Sequence, residues 1–522
     1  MRRRPPTIVA EDPVPALRRW WPRIAALAAG AVLTLAFAPY GQWWLALLAP
    51  AVLLRLWSRA TVREGARLGF AFGVGLYAAG TWWLYISIRG FGQAPLWVAL
   101  PVMATLVLIM AAYQGLLGYV ACRWLRPATP AGSMLWVPAA WVLVEWWRGW
   151  FLSGFPWLSL GYSQTDSALA GLAPLGGVHL VSFALLAGAG ALAPLWHSRG
   201  PLRALALVVL VLPWTLGQWL RGVEWTTESG PARTVAIVQG AIPQDMKWLA
   251  RNQHNILDTY ARLHREALGA QLILWPEATL PDVANNYREY LVAVWSAARE
   301  AGSDVILGAL REQLGAGDDD RPRDYNSLFA LGHAANDQPA FYDKRHLVPF
   351  GEYFPVPDWV RSWLRLMNLP YADLDRGTAR QPPFRFDDLV LAPSICYEDA
   401  YPALLRPEIR AADVLVTATN DAWFGHSSAR YQHLQIARML AIQSRRYLLR
   451  AANDGVSAVI DPHGTVVAAA PEFTASVLRS KFAPRRGDTP YLVLGDWLVV
   501  GLALLALAVR VLQGRVRVKD SS

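Results

Sequence analysis

The sequence predicts a multi-domain protein: an α-helical transmembrane bundle of about eight spans carrying an α/β layered domain outside the membrane. Long apolar runs bordered by tryptophan predict the bundle, and a central block of short β-rich runs alternating with helical ones predicts the layered domain. The 522-residue chain is 54% apolar and 17% charged, has a mean hydropathy of +0.23, and crowds most of its 26 Trp into the first half. Such a composition excludes a disordered or fibrous chain and argues against a purely soluble enzyme.

The apolar runs place spans at residues 21–40, 43–57, 70–88, 96–122, 134–150, 178–196, 204–220 and 492–509. Most approach the ~20 residues that cross ~30 Å of hydrocarbon. The second is short and contains Pro50. No small-residue cleavage site follows the first, so it reads as an uncleaved anchor.

Charge orients the spans. Arg2, Arg3, Arg4, Arg18 and Arg19 precede the first; Arg55, Arg59, Arg63 and Arg67 follow the second. Arg123 and Arg126 follow the fourth, Arg199 and Arg203 the sixth, and Arg515, Arg517 and Lys519 the last. The alternate loops hold Gly41 and Gln42, a lone Arg89, and the stretch around Gly154. Every second loop is basic, which puts both termini in the cytoplasm. The expected organisation is a seven-span domain over 1–222, an outer domain over 223–489, and a final span with a cytoplasmic tail over 490–522. The short second span is needed, because without it Arg55 to Arg67 would face outward.

The net charge of +10 does not point to nucleic acid. Residues 1–222 carry 17 Arg, no Lys and 5 acidic groups, a balance of +12, whereas residues 223–489 carry 28 basic and 32 acidic groups, −4. The excess lies beside the spans and not on a basic face for phosphates.

In the outer block, strands are expected at 234–238, 272–275, 305–307, 327–330, 390–395, 414–417 and 456–460, with helices at 252–268 and 287–299. The chain has two cysteines. Cys122 falls near the end of a span and Cys396 in the outer domain, so a disulfide is not expected. Residue type alone favours a buried, inert Cys396. Its position argues the other way: it ends the apolar run 389–395, and α/β sheets place chemistry at strand ends. Glu277 likewise follows the run 272–274. Lys344 is one of four lysines in a chain with 45 Arg, a choice that suggests a need for a compact ammonium. A surface lysine is the ordinary alternative. A thiol needs a base and a cation to act at neutral pH, and Glu277, Lys344 and Cys396 could supply the three roles.

Trp275-Pro276-Glu277, Asp343-Lys344 and Cys396-Tyr397-Glu398 resemble the Glu-Lys-Cys triad of the nitrilase (carbon-nitrogen hydrolase) superfamily. Longer strings are similar to the apolipoprotein N-acyltransferase family: residues 238–244, 342–353, 394–399 and 420–425, with Phe155-Pro156-Trp157 and residues 161–164 in the membrane part. The resemblance implies an αββα nitrilase-like domain on the periplasmic side of the bacterial inner membrane. It makes Glu277 the general base, Lys344 the stabiliser of the tetrahedral intermediate and Cys396 the nucleophile. Glu352 corresponds to a second carboxylate near Lys344, Trp248 to a loop tryptophan and Asn326 to an asparagine beside the site. Tyr397 and Glu398 follow the nucleophile, where a backbone N–H could join the oxyanion hole. Gln443 departs from the family's usual Glu. The implied reaction is ping-pong. A phospholipid, typically phosphatidylethanolamine, acylates Cys396, and the α-amino group of a diacylglyceryl-cysteine apolipoprotein takes the acyl chain. No cofactor is implied.

Other readings carry less. His346 and His433 invite a Cys-His dyad, but Glu277 and Lys344 already supply the base and the cation that the thiol needs. His426, His433 and His463 lack metal-site spacing, no CxxC exists, and no metal is expected. Glu145 and Arg148, three apart on one helical face, form either a structural pair or a contact for a headgroup or lipoprotein. No glycine string reads as a nucleotide site, and 315–323, with Asp318, Asp319 and Asp320, reads as a solvated loop. The competing functions are a membrane-anchored amidase with water as acceptor and a non-catalytic transporter or scaffold.

Overall fold

The computed structural model describes residues 16–92, 94–314, 322–334, 338–353 and 373–519, without the side chains of 16–19 and 514–519. Arg2 to Arg4 and Asp318 to Asp320 lie outside the described residues, as do the side chains of Arg18, Arg19, Arg515, Arg517 and Lys519.

The apolar runs form helices α1 (Ala16–Leu33), α2 (Leu45–Trp57), α3 (Val62–Gly80), α4 (Leu96–Val120), α5 (Val137–Arg148), α6 (Ala173–His197) and α7 (Pro201–Arg221). Three helical stretches, Leu96–Leu125, Ala168–His197 and Pro201–Arg221, are long and apolar enough to cross a membrane. Trp20–Ala36, Leu45–Trp57 and Trp497–Gln513 are shorter apolar helices. Leu205, Val208, Leu212 and Leu216 on α7 stay exposed, as a lipid-facing surface requires. Small residues let α1 and α3 touch backbone to backbone: a Cβ on Gly75 would lie 2.0 Å from the Leu27 carbonyl oxygen.

Two expected spans are corrected. The third starts at Val62, capped by the Thr61 side chain accepting from the Glu64 N–H, and ends at Gly80, so residues 81–88 are not part of it. The last is broken at Gly495 (φ +64) into α12 (Pro490–Leu494) and α13 (Trp497–Lys519).

The outer domain is two six-stranded sheets. One has the order β13-β2-β3-β4-β5-β6 and the other β12-β11-β10-β9-β8-β7, with a separate β1-β14 ribbon. The first sheet comprises β2 (Arg233–Gln239), β3 (Leu272–Leu274), β4 (Asp304–Gln313), β5 (Arg323–Leu331), β6 (Ala340–Asp343) and β13 (Ser476–Phe482). The second comprises β7 (Phe384–Phe386), β8 (Leu389–Ile395), β9 (Val414–Thr419), β10 (Leu448–Ala452), β11 (Ala458–Ile460) and β12 (Val466–Ala469); β1 is Thr227–Glu228 and β14 Arg485–Arg486. At their centres β2, β3 and β4 run parallel, as do β8, β9 and β10.

Alternation decides the layers. Val235 and Ile237 face the second sheet's Leu391, Val416 and Leu449. Ala236 and Val238 face α8 (Gln253–Ala267) and α9 (Arg288–Glu300). On the far side, α10 (Pro402–Ala411) and α11 (Ala429–Ser444) cover the second sheet, completing an αββα sandwich. Helix α11 is buried on two sides: Ala437 and Leu440 meet the sheet, while Ile436 and Met439 join the core of the membrane bundle.

Candidate active site

Two parallel strands end at the site. β3 is followed by Trp275, Pro276 and Glu277, and the Trp275 N–H bonds to the Ile306 carbonyl at 2.8 Å, so the turn stays in the sheet. Gly308 allows this turn to lie against β4, since a Cβ there would sit 2.4 Å from the Pro276 carbonyl oxygen. β8 is followed by Cys396, whose φ of +51° is an unusual conformation for a residue with a Cβ.

The surroundings hold that conformation. His433 Nε2 lies 3.2 Å from the Cys396 carbonyl oxygen and 3.0 Å from Asp399 Oδ1. Its Nδ1 lies 2.9 Å from Asp421 Oδ1, with Arg450 Nη2 also at 2.9 Å. Arg450 in turn donates to Asp399 Oδ2 at 3.1 Å and to Asp421 Oδ2 at 2.9 Å. All four side chains are buried. Burial and Arg450 push the His433 pKa down, but Asp399 and Asp421 prevail and hold it at about 9. His433 is therefore charged at neutral pH and its ring is committed to the backbone and to carboxylates, which removes it as a base for the thiol.

Lys344 continues from β6, its N–H bonded to the Asn326 carbonyl at 2.8 Å. Its Nζ donates to Glu352 Oε1 at 2.8 Å and to Glu277 Oε1 at 3.2 Å. Asn326 Nδ2 bridges the same two oxygens at 2.7 Å (Glu277) and 2.9 Å (Glu352). Glu352 Oε2 accepts from the Val348 N–H at 2.8 Å. The two carboxylates are thus unequal: both Glu352 oxygens are engaged, whereas Glu277 Oε2 has no hydrogen bond among the described residues. Burial works against the charge on Lys344, but Glu277, Glu352 and the Cys396 sulfur hold its pKa well above the ordinary value.

Burial and the Glu277 charge raise the Cys396 thiol well above its usual pKa, with Lys344 and a hydrogen bond to Thr419 opposing. At rest the sulfur keeps its proton beside a carboxylate with a free oxygen and a fixed ammonium. This arrangement can pass the proton to Glu277 as the sulfur attacks.

Glu398 is a clamp. Its Oε1 accepts from the N–H groups of Arg345 (2.7 Å) and His346 (3.2 Å), and its Oε2 from the Ile395 N–H (2.8 Å) and the Tyr342 hydroxyl (2.9 Å). It ties the Lys344 segment to the turn bearing Cys396. Tyr397 points to the membrane part, donating to the Gly154 carbonyl at 3.1 Å. Trp248 is 46% exposed at the rim. His346 packs its ring on Tyr401, 3.8 Å between centroids, and burial lowers its pKa to about 4. Gln443 is buried, its backbone carbonyl accepting from the Thr489 hydroxyl at 2.8 Å.

Glu145 and Arg148 do not pair with each other. Glu145 accepts from the Leu160 N–H (2.9 Å), Trp141 Nε1 (3.2 Å) and the Ser182 hydroxyl (2.7 Å). Arg148 donates to the carbonyls of Phe155 and Trp157 and to the Ser159 hydroxyl. Their role is structural: they shape the loop after α5. Sequence reasoning missed the Asp399–Asp421–His433–Arg450 quartet, whose members lie too far apart in the chain to form a motif. It also missed Lys247, which the scarcity of lysine could have flagged as it did Lys344.

The fold and this carboxylate-lysine-cysteine cluster define a carbon-nitrogen hydrolase-type domain, and the carbon-nitrogen hydrolase family model matches residues 234–485. The model of the apolipoprotein N-acyltransferase N-terminal domain matches residues 29–191. The chain is 40% identical to the apolipoprotein N-acyltransferase of Azotobacter vinelandii over 504 residues, 95% of this chain and 96% of that one. It is 38% identical to that of Vibrio parahaemolyticus over 481 residues, 91% of this chain and 94% of that one. Among solved structures it is similar to Saccharomyces cerevisiae Nit3, a member of the nitrilase superfamily, at 18% identity and TM-score 0.35, covering 50% of this chain and 93% of that one. The chain belongs to the apolipoprotein N-acyltransferase family.

Proposed function

We propose a residue-level route for N-acylation of apolipoproteins by this membrane acyltransferase. Cys396 attacks the ester carbonyl of a phospholipid, phosphatidylethanolamine in this reading, while its proton moves to Glu277 Oε2. A sulfur–acyl bond forms and the ester C–O bond breaks; Glu277 returns the proton to the leaving lysophospholipid oxygen. Lys344 and the Tyr397 N–H, in the first turn after β8, hold the developing oxyanion. The α-amino group of a diacylglyceryl-cysteine then attacks the thioester, Glu277 takes its proton, and Cys396 leaves as the thiol. Asn326 and Glu352 fix Lys344 and orient Glu277. Glu398 holds the two halves of the site together, and Trp248 contacts substrate at the rim.

The observation that carries this route is the asymmetry of the carboxylates around Lys344: one saturated, the other with a free oxygen beside a protonated thiol.

Residues 1–222 as a seven-span domain, 223–489 as a periplasmic catalytic domain and 490–522 as a last span with a cytoplasmic tail complete the proposal, in the inner membrane. The segments that follow α1 and α3 and the loop after α5 meet the catalytic domain: the Ala38 N–H donates to Gln435 at 3.1 Å, the Ser87 hydroxyl to the Trp423 carbonyl at 2.7 Å, and Arg438 to Asp166. At the opposite end Arg126 and Arg510 line one groove, which supports a common, cytoplasmic side for the basic loops and the tail.

The test is intact-protein mass spectrometry after incubation with phosphatidylethanolamine alone. An acyl adduct on Cys396, absent from Cys396→Ala and discharged by a diacylglyceryl lipopeptide, is expected. Discharge to free fatty acid in preference to lipopeptide would instead mark a hydrolase, and absence of any adduct on the folded, reconstituted protein would remove Cys396 as nucleophile.

A further inference from the structure

Lys247 takes no part in the route above, yet it lies beside it. It sits in the loop between β2 and α8, is 2% exposed, and among the described residues Glu277 is the charged group that acts on its ammonium. Its Nζ lies 5.2 Å from the ring centroid of Trp248. No carboxylate and no hydrogen bond holds it among the described residues.

Other deeply buried cations of the domain are held: Lys344 by Glu277 and Glu352, Arg345 by Glu408, Arg450 by Asp399 and Asp421, and Arg445 and Arg446 by backbone carbonyls. An ammonium carries three donors, and burying it without an anion is unfavourable unless a ligand supplies one. Burial lowers the Lys247 pKa to about 8, opposed by Glu277, so the group is still largely charged at neutral pH.

Charge balance points the same way. Glu277, Glu352 and Lys344 together carry an excess negative formal charge, which disfavours a phosphodiester nearby unless a further cation faces it. The acyl donor is a phospholipid and brings a phosphodiester; the diacylglyceryl-cysteine acceptor brings an amine and no phosphate. A second cation is therefore useful to the first half-reaction.

We propose that Lys247 binds the phosphodiester of the acyl donor and so places the ester carbonyl at Cys396. Met246, Trp248 and Leu249, exposed on the same loop, receive the adjoining apolar part of the lipid. Lys247 moves no proton and makes no bond: it is a substrate-binding residue for acylation. This inference rests on the reading of Cys396 as the residue acylated by phospholipid.

The test compares two acyl donors on the full-length protein, phosphatidylethanolamine and p-nitrophenyl palmitate, which lacks phosphate. The acyl-Cys396 adduct is followed by intact mass for the wild type, Lys247→Met and Lys247→Arg. For Lys247→Met the ratio of phospholipid to p-nitrophenyl acylation is expected to fall about 10- to 100-fold, the loss of one charge-assisted hydrogen bond, mainly through KM. Lys247→Arg should retain most of the ratio, and a folded Lys247→Gln repeats the measurement if the Met variant does not fold. An unchanged ratio overturns the proposal, as does equal loss with both donors, which would place Lys247 in the chemistry of Glu277. A wild type silent with both donors overturns the reading of Cys396 itself.

Discussion

Trp157, carried by the loop after α5, stacks on Tyr397, the residue after the candidate nucleophile, with ring centroids 5.9 Å and planes 21° apart. The Tyr397 and Tyr401 hydroxyls both donate to the Gly154 carbonyl of that loop, at 3.1 and 3.0 Å. The loop contains Leu152, Ser153 and Leu158 at positive φ, a shape that Arg148 maintains from below. The membrane part therefore forms one wall of the turn that bears Cys396.

Arg148→Leu should uncouple that wall. It leaves the buried carbonyl of Trp157 without this donor, at about 1–3 kcal/mol, and removes a further bond to the half-buried Phe155 carbonyl. The expected outcome is a lower thermal midpoint in detergent together with slower formation of the acyl adduct. Normal acylation kinetics in this variant would separate the loop from the site.

Lys344→Met removes the ammonium that Glu277 and Glu352 share. A fall in kcat of about 10²–10³-fold is expected, as for loss of one oxyanion donor. Glu352→Gln should give a smaller loss, because Asn326 still bonds Glu277. Glu277→Gln should be the more severe carboxylate substitution, since it removes the free oxygen proposed to take the thiol proton. Single-turnover acylation kinetics measure all three.

Glu398→Gln keeps the shape of the side chain but turns one acceptor oxygen into a donor facing an N–H or a hydroxyl. Hydrogen bonds to a charged group contribute about 1.5–3 kcal/mol each, so the segment around Lys344 should loosen. Faster proteolysis near residues 344–353, with loss of acylation, is the expected result.

The buried quartet predicts a pH dependence. Because the folded pKa of His433, about 9, lies above its ordinary value, its contribution is fully present below about pH 6.5 and is lost as the pH rises through about 9. Thermal inactivation midpoints should fall across that window. His433→Gln should start lower and flatten that part of the slope; a wild-type slope retained in the variant would assign the titration elsewhere.

Much of this was legible in order along the chain. The apolar runs that end before Glu277 and Cys396 are β3 and β8, whereas the layer that each face of a run such as Val235 to Val238 meets was not legible, because all four residues are apolar. Helix α11 was not legible, because it is buried against both a sheet and the membrane bundle and so has no polar face to give it a period. Strand β10, which carries Arg450, was hidden likewise: a guanidinium within an apolar run argues against a central strand until its two carboxylates are seen.

The sequence by itself determined the apolar helices, their alternating basic loops, the layered domain and the residue types of the site, since these depend on local composition and spacing. Only the tertiary structure decided that Glu277 keeps a free oxygen while Glu352 does not, that His433 braces the Cys396 backbone, and that Lys247 is buried without an anion. Those properties belong to atoms brought together from distant parts of the chain, and hydrogen-bond saturation and burial have no meaning until they meet.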